Sequence, residues 1–318
     1  MGVWATGLYS GDFALDLRST VSALLRLPFP PDRIVDILCE SETTAANNAA
    51  DSDHTTFWLV VADQFAKRGV QCQRARDKAL AVIDAGQDLA ALEGLGMQAS
   101  DLRKRRKMLE ELRGRILSPP PIKTRKTLSH PQPFLVSLGD LLAYPTSGGK
   151  HINPYFPSKE MDKIYTKEGP KPWTQDGWGA MLVVDCGRAF DYLAWYRVLT
   201  LAEAMPQKPA AEQLLDGNIL WRLSSPGTCS VRHYTRLELE KVGALPVNPT
   251  KVKNLFPGLR PGISAAVSDI SISNSMSAAP KVSWAAIPEP GQHRRGLAQT
   301  LRGIEQILRP EPQVLSGP

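Results

Sequence analysis

Residues 118–133 read SPPPIKTRKTLSHPQP, and the hydrophobic period of the chain changes across them. Five prolines and three cations leave space for only two large apolar side chains, Ile122 and Leu128. Prolines remove backbone donors and break regular elements, so the stretch reads as a basic, Pro-rich linker over 118–133.

Before the linker, apolar residues recur every three or four positions, which lines one side of a helix. Phe13, Leu17, Val21, Leu24 and Leu25 form the first such stripe. Asp12 precedes it as the expected N-cap, and Asp16 falls in the first turn, where the helix dipole favours negative charge. Gly7 and Gly11 permit the preceding turn, and Trp4 is expected to fold back as an apolar anchor. PFPPDRIVDILCES (28–41) starts a second helix at its prolines, TTFWLVVADQFAKRG (55–69) closes a third at Gly69, and QCQRARDKALAVIDAG (71–86) closes another at Gly86. In DLRKRRKMLEELRGRILSPPP (101–121), Leu102, Leu109, Leu112 and Ile116 share a stripe. Arg105 projects onto that same stripe, so it must reach past it to water or meet a carboxylate. Residues 1–117 therefore predict a helical domain of about five or six helices.

After the linker the pattern shortens. PFLVSLGDLLAYP (133–145), WGAMLVVDCG (178–187), YLAWYRVLTLA (192–202) and NILWRLSS (218–225) are brief β-branched and aromatic runs bounded by turn formers. They predict a mainly antiparallel sheet or small barrel over 134–285. VRHYTRLELEKVGALP (231–246) suits either strand or helix. Leu297, Leu301, Ile304 and Leu308 predict an amphipathic helix in the C-terminal region 286–318. The fold class expected is α+β, with a helical domain ahead of a β-rich one.

The charge is localised. The whole chain of 318 residues carries +6, yet ten cations against three acids between Ser100 and Lys126 give that stretch +7. The remainder is near neutral, unlike a dedicated nucleic-acid binder with a basic domain surface. Phosphate contact, if made, falls to Arg103, Lys104, Arg106, Lys107, Lys123, Arg125 and Lys126, because clustered cations suffice for it.

No P-loop, dinucleotide fingerprint, HExxH or GxSxG occurs, so no catalytic residue is assigned. Cys229 and His233 lie four apart in CSVRHY, a spacing that strand alternation explains as well as nucleophilic chemistry does. Asp185 and Asp191 flank DCGRAFD, where carboxylates serve a turn. The five histidines never pair at i, i+3 or i+4, so neither a metal nor a cofactor is expected. Cys39, Cys72, Cys186 and Cys229 fit no disulfide framework and read as reduced thiols. With no apolar run of eighteen residues and no signal-peptide pattern, the expected location is cytoplasmic, without membrane contact.

Residues 146–177 lack clear periodicity for longer than a compact domain normally leaves unstructured. Tyr155, Phe156, Tyr165, Trp173 and Trp178 in and beside this segment are the expected partner-binding residues, since clustered aromatics dominate protein interfaces.

The opening MGVWATGLYSGDFALDLRS resembles a bacterial domain of unknown function whose members begin Met-Gly-x-Trp-Gly-x-Gly and carry Asp-x-x-x-Asp at a first helix. Met1, Gly2, Trp4, Gly7, Asp12 and Asp16 match, and Ala5 stands where the family has glycine. The resemblance extends through FWLVVADQFAKRG and RARDKALAVIDAGQDLAAL and implies a small helical module with no established activity. The second half is similar to immunity proteins of bacterial polymorphic toxin systems, in which Gly-Asp-apolar-apolar-Ala opens a β-rich domain. Gly139, Asp140, Leu141, Leu142 and Ala143 carry that likeness. It implies a non-enzymatic protein that works by binding another protein, such as a toxin, with nucleic acid as the alternative partner.

Overall fold

The computed structural model describes residues 6–121, 125–146, 175, 177–259, 262–268 and 300–309. Trp4, Lys123 and the segment 147–174 lie outside them. The chain forms two compact units, one of residues 1–130 with 267–269 and the other of residues 131–266 with 270–318.

Among the described residues the first unit has seven helices: α1 (Asp12–Leu24), α2 (Pro31–Ser41), α3 (Thr43–Asn47), α4 (His54–Lys67), α5 (Gln73–Asp84), α6 (Gln87–Gly94) and α7 (Ala99–Leu117). The two shortest, α3 and α6, are too brief to repeat an apolar period, which is why the sequence pattern predicts fewer. Helix α4 is the centre of the unit, packing against α1, α3, α5, α6 and α7. Its run FWLVVA is buried on every side, so it has little amphipathic contrast. Trp58 Nε1 donates to Ala46 O at 3.2 Å and His54 Nδ1 to Ala45 O at 2.7 Å, so both side chains satisfy their buried polar atoms on the backbone of α3. One expectation is corrected at the start of α1. The N-cap is Gly11, and Asp12 is an exposed first-turn residue whose carboxylate makes no cap hydrogen bond.

The second unit is built on an open antiparallel sheet. Its strands among the described residues are β1 (Asp140–Thr146), β2 (Gly177–Ala189), β3 (Leu193–Leu201), β4 (Leu220–Leu223), β5 (Glu240–Ala244) and β6 (Thr300–Arg302), in the order β5-β1-β2-β3-β4-β6. Between them in sequence, among the described residues, lie α8 (Val231–Arg236), α9 (Pro249–Leu255) and α10 (Ile263–Ser268), whose last two residues group with the first unit. Leu141, Leu182, Leu199 and Trp221 pack on one face with Val252, Phe256, Leu301 and Ile307. On the other, Leu142, Tyr144, Met181, Tyr196 and Val198 pack with Val136, Leu237 and Leu239. Burial of both faces is why β1 to β3 read as continuous apolar runs rather than as alternation.

The Gly139-Asp140 pair that opens β1 has a structural task. Gly139 has φ +87°, and a Cβ there would lie 2.1 Å from Leu245 O, so only glycine fits. Asp140 accepts from Ser137 N at 2.8 Å and from Lys241 Nζ at 2.6 Å, fastening β1 to the preceding turn and to β5. DCGRAFD is the end of β2 and its turn into β3. Phe190 and Asp191 have φ 52° and 63°, and Tyr192 N donates to Ala189 O at 3.0 Å. The ambiguous VRHYTRLELEKVGALP divides into α8 and then β5. Of the C-terminal helical pattern Leu297 lies outside the described residues, and among the described residues 300–309 there is a 3-10 turn, Glu305–Ile307, following strand β6 and Gly303 at φ +63°.

Candidate binding surfaces

The basic helix α7 is divided between internal pairing and solvent. Arg105 is 3 % exposed and makes a bidentate pair with Asp88 of α6, Nε to Oδ2 at 2.8 Å and Nη2 to Oδ1 at 2.9 Å. Its Nη1 donates to Gly7 O at 2.8 Å, so this cation also holds the start of the described chain. Arg113 pairs with Asp84 at 2.9 Å, and Arg115 with Asp63. Arg103, Lys104, Arg106 and Lys107 are exposed on the arc opposite the buried stripe of Arg105, Leu109, Leu112 and Ile116. Lys104 also meets Asp101 at 2.9 Å, an exposed contact of small energetic consequence. Four of the seven cations assigned to phosphate contact therefore do share one surface.

The linker cations behave differently. Arg125 is half-buried and donates to Phe29 O, and burial lowers the guanidinium's pKa. Lys126 is exposed, and Lys123 lies outside the described residues. Leu128 N donates to Arg26 O at 2.7 Å, so residues 125–128 run along the α1–α2 connection.

Of the five aromatic residues expected to bind a partner, Tyr155, Phe156, Tyr165 and Trp173 lie outside the described residues. Trp178, at the start of β2, is half-buried. Its backbone is held by paired bonds to Met205 of 2.8 and 2.7 Å, and it stands in register with Pro145 of β1, which has no N–H to donate. Lys208 Nζ lies 5.3 Å from its ring centroid, within cation–π range. Beside it Tyr144 is fully buried over Gly179, where a Cβ would come within 2.4 Å of the ring.

Cys229 and His233 do not form a nucleophile and base. Cys229 is buried, and desolvation pushes its thiol up to about 12, which keeps it protonated at neutral pH. His233 belongs to a capping box at the start of α8: Ser230 Oγ accepts from His233 N at 3.2 Å, and His233 Nδ1 accepts from Ser230 N at 3.4 Å. Asp185 pairs across the sheet with buried Arg197 at 3.2 Å, and burial raises its carboxyl pKa against the opposing pull of that arginine. Among the described residues no group of three or more His, Cys, Asp or Glu is placed to hold a metal ion, and no helix is long and apolar enough to cross a membrane.

A further cluster escapes sequence reasoning. Asp63 of α4 is 1 % exposed and carries Arg115 on Oδ1, with Tyr9 and Lys67 on Oδ2, the lysine at 2.7 Å. Burial and the neighbouring carboxylate raise the Tyr9 phenol well above its ordinary value. Arg18 and Lys67 lie over the Tyr9 ring at 5.1 and 5.3 Å. Arg68 is oriented by Gln64 Oε1 and by Ser22 Oγ at 2.9 Å. Only the Asp63–Lys67 spacing, four apart on a helix, is visible in sequence. The convergence of α1, α4 and α7 that assembles the rest is tertiary. No family model, curated protein or solved structure matches the chain.

Proposed function

We propose that the chain is a non-enzymatic protein-binding protein of a bacterial cytoplasm, of the immunity or interaction type, that engages its partner through the aromatic segment ending at Trp178. The observation that carries this reading is the mounting of Trp178. A half-buried indole whose backbone is held by paired bonds to Met205, in register with Pro145 of β1, loses little conformational entropy on binding, which is the property of an interface anchor. It stands next to the segment bearing Tyr155, Phe156, Tyr165 and Trp173. The test is capture from native cells with the tagged full chain and its Trp178→Ala variant. Loss of an anchor of about 2 kcal/mol or more should deplete the specifically retained protein roughly thirtyfold at unchanged circular dichroism. Undiminished capture of the same protein by the variant would overturn the assignment.

The exposed row Arg103, Lys104, Arg106 and Lys107 favours a second reading, a nucleic-acid-associated regulator. Salt separates the two. Phosphate binding falls steeply as salt rises, whereas an aromatic interface depends on it weakly.

A further inference from the structure

Resting on the protein-binding reading, and naming a second contact that it leaves open, we propose that the surface formed by α1 and the C-terminal end of α4 receives acidic side chains of a protein partner. The recognition groups are Arg18, Arg26 and Arg68, with Lys67 and Arg115 paired to Asp63 in the same cluster.

The argument is one of unmatched charge. Asp63 is the carboxylate at the centre of this cluster, and both of its oxygens are occupied, Oδ1 by Arg115 and Oδ2 by Tyr9 and Lys67. Nothing remains on it for the other cations. Arg68 is consequently held by neutral acceptors, Gln64 Oε1 and Ser22 Oγ, and Arg18 lies against the Tyr9 ring. Neither makes an ion pair among the described residues, nor does Arg26. Neutral acceptors orient a guanidinium without cancelling its charge, so the cluster presents preorganised positive charge that favours an incoming anion.

The shape selects the kind of anion. Arg18, Ser19, Ser22, Ala23 and Arg26 line an open recess of about 250 Å³ along α1 and the residues just after it, and Arg68 borders it by donating to Ser22 Oγ at 2.9 Å. A small recess lined by two arginines and bordered by a third suits discrete carboxylates, each able to accept two parallel hydrogen bonds. A nucleic-acid backbone instead needs cations along a track, and the row on the exposed arc of α7 has that arrangement. The two basic features of the first unit thus have different geometries, and the recess is the one that fits aspartate and glutamate side chains.

The test uses the full chain and two probes measured by fluorescence anisotropy, a labelled ten-residue glutamate peptide and a ten-nucleotide oligothymidylate. The peptide is expected to bind, to weaken at least tenfold in Arg18→Glu/Arg68→Glu, and to stay within twofold in Arg103→Glu/Arg106→Glu/Lys107→Glu. Circular dichroism and melting confirm that each variant is folded, and Arg18→Gln/Arg68→Gln, which removes charge without reversing it, should give an intermediate loss. Absence of peptide binding overturns the inference. So does equal loss in the α7 variant, or oligothymidylate binding that is tighter than the peptide's and is lost in Arg18→Glu/Arg68→Glu. The protein-binding reading fails separately, by undiminished capture with Trp178→Ala, a residue these variants do not alter.

Discussion

Arg105 is a cation on a helix face that is otherwise apolar, and the sequence alone marks it as needing a partner. What the sequence does not reveal is which carboxylate answers. Asp88 lies seventeen residues earlier on another helix, and only the packing of α6 against α7 brings it to 2.8 Å. A buried pair of this kind adds little net stability, but removing one member leaves an uncompensated charge. Arg105→Ala should therefore lower the unfolding free energy by about 3 kcal/mol or more, measured by urea denaturation, while Arg105→Met with Asp88→Leu should recover most of that loss. Wild-type stability in the single variant would mean that water reaches Asp88. The same logic of burial governs Cys229. With its thiol pushed up to about 12, iodoacetamide at pH 8 should leave Cys229 unmodified in the native protein and alkylate it once the chain is unfolded, as read by mass spectrometry. Rapid native alkylation would return it to the list of candidate nucleophiles. Asp63 shows the limit of such reading, since a lone acid inside FWLVVADQF gives no sign of the three helices that converge on it.

Elements were legible where one face is apolar and long enough to repeat. Helices α4, α5 and α7 end where glycine or proline ends them, β3 and β4 lie within the short β-branched and aromatic runs, and β1 and β2 overrun theirs by one to three residues. Over the described residues 300–309 the C-terminal pattern gives a strand and a 3-10 turn for a definable reason. Leu301, Ile304 and Ile307 recur every third residue, which suits a 3-10 turn as well as an α-helix. Gly303 at φ +63° turns the chain after β6, and pairing of β6 with β4 carries all three side chains into the core. In β2 the constraint is cross-strand. Gly179 stands opposite Tyr144, whose ring occupies the space a side chain would need. Gly179→Val should cost about 1 to 3 kcal/mol by forcing that ring from its place between β1 and the core. The measurement is a thermal melt of the full chain beside near-ultraviolet circular dichroism, and an unshifted transition would show that the Tyr144 ring moves freely.

The α+β organisation of the whole chain follows from the change of period around the Pro-rich stretch, and that change is visible because helical spacing fills the residues before it and the first strand runs follow it. The stretch itself is less open than its composition suggests. Ser118, Pro119 and Pro120 line a groove with Phe65, Gly69 and Arg115, while Arg125 and Leu128 bond to Phe29 O and Arg26 O. Gln132 donates its N–H to Tyr192 O at 2.9 Å and accepts Ala194 N at 3.0 Å. A linker expected to have few anchors thus has its first part fastened to the helical unit and its last part to the sheet, with the division at His130 and Pro131. Backbone carbonyls such as Phe29 O and Arg26 O carry no sequence signal, so these attachments could not be read in advance. They have a measurable consequence. A fragment of residues 1–130 keeps both bonds to the α1–α2 connection and the cover over the groove, whereas a fragment of residues 1–117 loses them. Two hydrogen bonds of about 1 kcal/mol each should raise the melting temperature of the longer fragment by at least about 4 °C over the shorter one. Equal melting temperatures by differential scanning calorimetry would show that residues 118–130 add nothing to the helical unit and serve only to connect.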